Sequence, residues 1–349
     1  MKIKVIFTGG TISSDNTSEG ITVDDKNYVN KQLIQNYNNI TSNQQVDFEI
    51  SQPINVLSEN MSFKDINLLL CELKNTRFSD FDGIIITHGT DTLAYTSNFL
   101  SILLAGISIP VVLVSSNFIL SNENSNGLDN FIGAVNFIKE LKYSGVYAVY
   151  KNDENKTILY LGSRLTQCSN LTNRFSSTTG IDFGELRDGF FIPLENRINP
   201  TEKDIAEKIT TDEMLLFKIN RLLPCVMLIN PYTGIDYSNF SPGAEIKAIL
   251  HTLYHAGTAP VSGENTNSII SFYKTCEEKE IDFYISPLES QLKENYSTTK
   301  QMLNSGIKPM YDISSEMSYA KLVIAYSSED LILRNRILMD NVFFEKVLN

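Results

Sequence analysis

Two short turns hold the residues of this chain most suited to chemistry. Thr8-Gly9-Gly10-Thr11 follows the aliphatic run Ile3-Lys4-Val5-Ile6-Phe7, and His88-Gly89-Thr90-Asp91-Thr92 follows the aliphatic run at 81–86. In an open α/β sheet, ligands bind outside the carboxyl ends of the strands, so two such turns can face one pocket. The chemistry they suggest is that of threonine hydroxyls. The second turn also reads as a helix start, with Thr90, Asp91 or Thr92 as cap and Leu93, Thr96, Leu100 and Leu103 following on one face. Free N–H groups at such an end favour an anion, for instance a substrate carboxylate. A nucleotide loop fits poorly: the first turn lacks the third glycine of GxGxxG, and no GxxxxGK[ST] occurs. His251 and His255 form an i,i+4 pair without a nearby third ligand, which reads as structural, so no metal site is expected. Cys71, Cys168, Cys225 and Cys276 are widely spaced and form no CxxC, as for reduced thiols in a cytoplasmic protein.

The elements that must position these turns are legible in outline. At 349 residues the chain is long for a single core, and two domains are expected. The net charge of −12 argues against general affinity for nucleic acid or for anionic membranes. No run reaches the ~18 apolar residues of a membrane span, and Met1-Lys2-Ile3 leads into a strand without a signal-peptide pattern. Strands are expected at 3–7, 48–54, 83–87, 110–115 and 146–150, with helical spacing at 65–74 and 92–104. This alternation predicts a larger N-terminal α/β domain over 1–190, with a doubly wound, mostly parallel sheet and right-handed crossovers. A polar, turn-rich stretch with Pro193 and Pro200 reads as a linker, 191–212. Residues 213–349 read as a smaller C-terminal α/β domain, with strands at 215–219, 226–230, 246–254 and 282–286, a helix at 267–276 and helices across 315–347. The Asn-rich stretches 36–43 and 122–130 read as loops.

Along nearly its whole length the chain resembles the bacterial-type L-asparaginases, especially the cytoplasmic type I branch. The resemblance rests on Thr8-Gly9-Gly10-Thr11-Ile12, Leu57-Ser58-Glu59-Asn60-Met61 and the run from His88 to Thr96. It extends through Pro110-Val111-Val112-Leu113, Asn126-Gly127 with Asn130, and Gly162-Ser163-Arg164-Leu165-Thr166. Looser matches are Asn230-Pro231-Tyr232-Thr233-Gly234 and Ala256-Gly257-Thr258-Ala259-Pro260. The resemblance implies hydrolysis of the asparagine side-chain amide to aspartate and ammonia, without metal or cofactor, through an acyl-enzyme on a threonine. It implies Thr11 as nucleophile, Thr90 as second catalytic hydroxyl, and Asp91 as holder of the substrate α-amino group. It places Ser58 at the α-carboxylate and Glu59 in contact with substrate, with backbone N–H groups near Gly89 and Thr90 polarising the amide oxygen. It also implies a homodimer or homotetramer.

Four slots depart from that pattern. Where the family reads Thr-Thr-Lys, this chain has Leu165-Thr166-Gln167, and a glutamine neither takes nor delivers a proton. Loss of one positioned acid–base group typically lowers rates by roughly 10²–10⁴. Ile21 stands after Ser18-Glu19-Gly20 where the loop tyrosine belongs, with Tyr28 the nearest substitute. Asn126 replaces an aspartate and Thr258 an asparagine. Cys168, beside Gln167, reads as a small buried hydrophobe or a compensating nucleophile. Three readings follow: an amidohydrolase of asparagine or a related small amide; an impaired homologue that binds an amino acid or a protein partner; and an amidase for a larger side-chain or peptide amide. The two-domain fold is expected to consume residues 1–349 and to leave no appended recognition domain, which weighs against the third.

Overall fold

A computed structural model of the chain describes residues 1–18, 20–23, 28–41, 46–140, 143–211, 214–262, 265–291 and 296–347. Glu19, residues 42–43 of the first Asn-rich stretch and residue 212 of the expected linker lie outside them. The chain divides into two compact units, Met1–Lys218 and Ile219–Asn349.

The first unit runs through β1 (Lys2–Phe7), the hairpin β2 (Ser14–Thr17) and β3 (Gly20–Val23), α1 (Tyr28–Ile40), β4 (Asp47–Ser51) and α2 (Phe63–Lys74). It continues with β5 (Gly83–Thr87), α3 (Leu93–Leu103), β6 (Pro110–Val114), α4 (Gly127–Lys139), β7 (Gly145–Lys151) and β8 (Thr157–Leu161). The short pair β9 (Leu165–Thr166) and β10 (Ser176–Ser177), then β11 (Gly184–Arg187), β12 (Phe190–Pro193) and α5 (Glu202–Thr211) complete it. Eight strands form one sheet in the order β12-β11-β8-β7-β6-β5-β1-β4. The pairings from β4 through β7 are parallel, and β8, β11 and β12 are added antiparallel, so the sheet is mostly parallel as the alternation predicts. β5 and β6 are buried at every residue, as central parallel strands covered on both faces should be. The chain leaves β1 for β4 on one side and returns to β5 on the other. The order therefore reverses between β1 and β5, the crevice where open α/β sheets bind ligands.

The second unit carries β13 (Val226–Ile229), β14 (Ala248–Thr252), α6 (Ile269–Glu277), β15 (Asp282–Leu288), α7 (Ser297–Asn304), β16 (Lys308–Tyr311), α8 (Ser315–Tyr326) and α9 (Leu331–Met339). Its four strands lie in sequence order and pair in parallel. Its core gathers Ile249, Phe272, Phe283, Ile285 and Met302.

Several local expectations give way to packing. Leu215–Phe217, expected as strand, is one turn of 3-10 helix that buries both Leu215 and Leu216. Residues 36–40 of the first Asn-rich stretch lie in α1 and residues 127–130 of the second in α4, because Val29, Leu33 and Tyr37, and Phe131, Val135 and Ile138, supply buried helical stripes, while 122–126 form turns as expected. Residues 191–212 hold the end of β12 and α5, both inside the first unit. The helical run ends at Met339; Asp340 to Val347 is held instead through Glu345, whose carboxylate accepts from Lys321 Nζ and the Val342 and Phe343 N–H groups.

β12 closes one edge of the large sheet. Its two outward-facing main-chain nitrogens belong to Phe191, whose N–H donates to Glu140 Oε1 at 2.6 Å, and to Pro193, which has no N–H. No helix among the described residues is long and apolar enough to cross a membrane.

Candidate active site

The parallel register of β1 and β5 ends with Phe7 opposite Thr87, so the two threonine turns leave the sheet side by side. Thr8 Oγ1 donates to the Thr87 carbonyl at 2.7 Å and ties them together. From there Gly9 bridges to Val56, and Gly10 N donates to the Val56 carbonyl at 2.8 Å. Gly10 has φ +74°, and a methyl on it would run into the backbone of Gly89. A methyl on Gly89 would strike the Ser58 side chain and lie 3.3 Å from Gly10 Cα. Backbone thus touches backbone at Gly10 and Gly89. Thr11 and Thr90, each half-buried, are the next residues after that contact.

Ser58 is buried beneath the same point. Its Oγ donates to Asp91 Oδ2 at 3.1 Å and accepts the Asp91 N–H at 3.2 Å, and its carbonyl accepts Thr92 Oγ1 at 3.0 Å. Glu59 follows on the exposed side of the Ser58–Asn60 turn. Gln167 enters from the residue after β9: its Nε2 donates to the Asp91 carbonyl at 2.6 Å. The structure therefore brings Thr11, Ser58, Glu59, Gly89, Thr90, Asp91 and Gln167 into one neighbourhood.

The other three departing positions have partners of their own. Ile21 is 47% exposed on β3, and Tyr28 is 65% exposed at the start of α1. Asn126 precedes α4 and its side chain links Asn117 to the end of β7, accepting from Asn117 N and donating to the Lys151 carbonyl. Thr258 belongs to the second unit, where its carbonyl accepts Tyr254 N at 2.9 Å. Cys168 is half-buried and its Sγ lies 3.7 Å from the Thr172 carbonyl. Burial, with the charges of Asp91 and Asp153, pushes its thiol up from the ordinary value, so thiolate chemistry is disfavoured.

Sequence reasoning overlooked the function of His88 within its own motif. It is fully buried, its Nδ1 donates to the Gly89 carbonyl at 2.9 Å, and Thr96 Oγ1 lies 2.9 Å from its Nε2. A carbonyl can only accept, so Nδ1 carries the proton and Nε2 receives the threonine hydroxyl. Burial holds the imidazole pKa down to about 4. This neutral ring pins the peptide between Gly89 and Thr90. The signal was a histidine directly before Gly-Thr at the end of an apolar strand, with a hydroxyl eight residues on in the following helix. His251 repeats the pattern in the second unit, with Nδ1 on the Thr252 carbonyl and Nε2 on the Tyr237 hydroxyl. Among the described residues no group of three His, Cys, Asp or Glu side chains is placed to hold a metal ion.

Similarity to known proteins bears on the family and the fold. A family model described as "Asparaginase, N-terminal" matches residues 2–190. An L-asparaginase of Thermococcus kodakarensis is 26% identical over 328 residues, covering 93% of this chain and 92% of that protein. A glutamyl-tRNA(Gln) amidotransferase subunit of Saccharolobus islandicus is 25% identical over 345 residues, covering 97% of this chain and 74% of that protein. The solved structure of the thermostable L-asparaginase from Thermococcus kodakarensis shares the fold with a TM-score of 0.78 at 24% identity, covering 100% of both chains.

Proposed function

This chain belongs to the asparaginase family, and we propose that it hydrolyses the side-chain amide of L-asparagine, or a related small amide, to the acid and ammonia. Thr11 is the proposed nucleophile and Thr90 the second hydroxyl. Asp91 is proposed to receive the substrate α-ammonium, with Ser58 at the α-carboxylate and Glu59 in contact with substrate. The N–H groups around Gly89 are proposed to polarise the amide oxygen. The reading is supported above all by one observation: Gly10 and Gly89 meet at the crevice between β1 and β5, and Thr11 on one side and Thr90 and Asp91 on the other are the residues that follow. We further propose a cytoplasmic homodimer or homotetramer that uses no cofactor.

A second reading is favoured by Gln167. An uncharged amide on the Asp91 carbonyl fits a protein that binds an amino acid or a partner and turns substrate over slowly or not at all. One experiment separates the two. Ammonia release from asparagine, glutamine and a small amide panel is measured for wild type, Thr11→Ala, Thr90→Ala and Gln167→Lys. The hydrolase reading expects wild-type release well above both alanine variants and fails if it equals them on every substrate. Thermal stabilisation by aspartate without turnover supports the binding reading; saturation to 100 Kd would contribute about 2.7 kcal/mol.

A further inference from the structure

Expelling the nitrogen of an amide requires that a proton reach it as the bond to carbon breaks, and a positioned acid typically contributes roughly 10²–10⁴ to such a step. The groups about the second turn are therefore informative. Gln167 is an amide already donating to the Asp91 carbonyl. His88 is neutral, and both of its ring nitrogens are engaged, one on the Gly89 carbonyl and one with Thr96 Oγ1. The Cys168 thiol sits beside the Thr172 carbonyl. Ser58 Oγ donates to Asp91 Oδ2. Asp91 and Glu59 are carboxylates, suited to accepting protons or holding a cation. These groups comprise acceptors, hydroxyls and a nucleophile candidate, and none of them is a lysine, arginine or imidazolium that hands a proton to a leaving amine. An alcohol leaves an acyl carbon with far less help, because an alkoxide is a much weaker base than an amide anion.

We propose that this site acts on β-esters of aspartate in preference to asparagine, its acyl specificity kept and its leaving-group specificity moved from nitrogen to oxygen. The inference rests on the hydrolase reading above. Thr11 Oγ bonds to the β-carbonyl carbon, the carbon–alkoxy bond breaks, the alkoxide departs with that electron pair and takes its proton from water, and the proton shed by Thr11 passes to solvent. Water then adds to the same carbon, the carbon–Oγ bond breaks, Thr11 regains a proton, and aspartate is released. The net change is ester plus water to acid plus alcohol.

The test compares kcat/KM for L-aspartic acid β-methyl ester with that for L-asparagine in wild type, Gln167→Lys and Thr11→Ala. Wild type is expected to favour the ester, and the ester-to-amide ratio is expected to fall about 100-fold in Gln167→Lys, where an ammonium supplies the proton. A second measurement needs only wild type: along a series of β-esters of increasingly acidic alcohols, the acylation rate, read in single turnovers, is expected to rise steeply, as it does when no acid assists departure. Cleavage of both compounds with an unmoved ratio, or a flat ester series, overturns the inference while leaving the hydrolase reading intact. Cleavage of neither above the Thr11→Ala background overturns both.

Discussion

Ser58 Oγ and the Asp91 carboxylate hold each other across 33 residues of sequence: the hydroxyl donates to Oδ2 at 3.1 Å and accepts the Asp91 N–H at 3.2 Å. The carboxylate proposed to receive the substrate ammonium is oriented by this pair. Ser58→Ala removes a charge-assisted bond worth about 1.5–3 kcal/mol and leaves the Asp91 N–H without its acceptor. L-Aspartate binding, measured by titration calorimetry, is expected to weaken by roughly 10- to 100-fold. Unchanged affinity would count against both the proposed Ser58 contact with the α-carboxylate and the role of Ser58 in placing Asp91.

Gly89→Ala tests the contact from the opposite side. Its methyl group would collide with the Ser58 side chain and press on Gly10. Overpacking of this kind typically destabilises by about 1–3 kcal/mol. The expected pattern is a modest fall in melting temperature with complete loss of the aspartate-induced shift. A variant that keeps the full ligand shift contradicts the placement of the site here.

The two buried histidines predict an acid-sensitive fold. Burial lowers His88 and His251 from 6.5 to about 4, so the unfolded chain binds a proton on each well before the folded chain does. Stability is therefore intact above about pH 6.5, declines as pH falls from there toward 4, and loses roughly 3 kcal/mol per histidine once the interval is crossed. Carboxylates held low act only in the more acidic range: Glu49 bonds to Lys2, and Glu72 overcomes its burial through Lys4 and Ser51. Urea unfolding at a series of pH values checks the prediction. A midpoint that stays level between about pH 7 and 5 would refute it.

In the second unit, the Lys321–Glu345 pair is fully buried at 2.6 Å. Burial alone would push the Glu345 carboxyl up, but Lys321 and the Val342 and Phe343 N–H groups more than offset it and hold the pKa below the usual value. Glu345→Ala strands a buried ammonium and is expected to destabilise by about 3–5 kcal/mol. Lys321→Met combined with Glu345→Leu is expected to recover much of that loss. Chemical denaturation of the single and double variants reads the difference; equal losses in both would argue against an electrostatic cause.

The sequence made the outline of this molecule legible wherever pattern and position coincided. β1, β5 and β6 read as strands because they are buried apolar runs ending at turn residues, and the two threonine motifs stood at the ends of two of them. Tyr28–Ile40 and Gly127–Lys139 were harder to see, since asparagines masked helical stripes that become apparent only with partners to pack against. The interlocking of Gly10 with Gly89 depends on which strands are neighbours, and no local pattern carries that. His88 was visible as a residue but not as a pin, because its two partners are a main-chain carbonyl and a hydroxyl on the next helix.

The capped edge at β12 has a bearing on how this chain behaves in company. Phe190 and Ile192 stand exposed on that strand, the kind of surface that invites another strand to add and then another after it. Glu140 occupies the Phe191 donor and Pro193 offers none, so an arriving strand meets carbonyls alone and cannot build a ladder. Glu140→Ala would reopen half of that edge. Slow fibre growth in concentrated solution is then the hazard that one glutamate and one proline are placed to prevent.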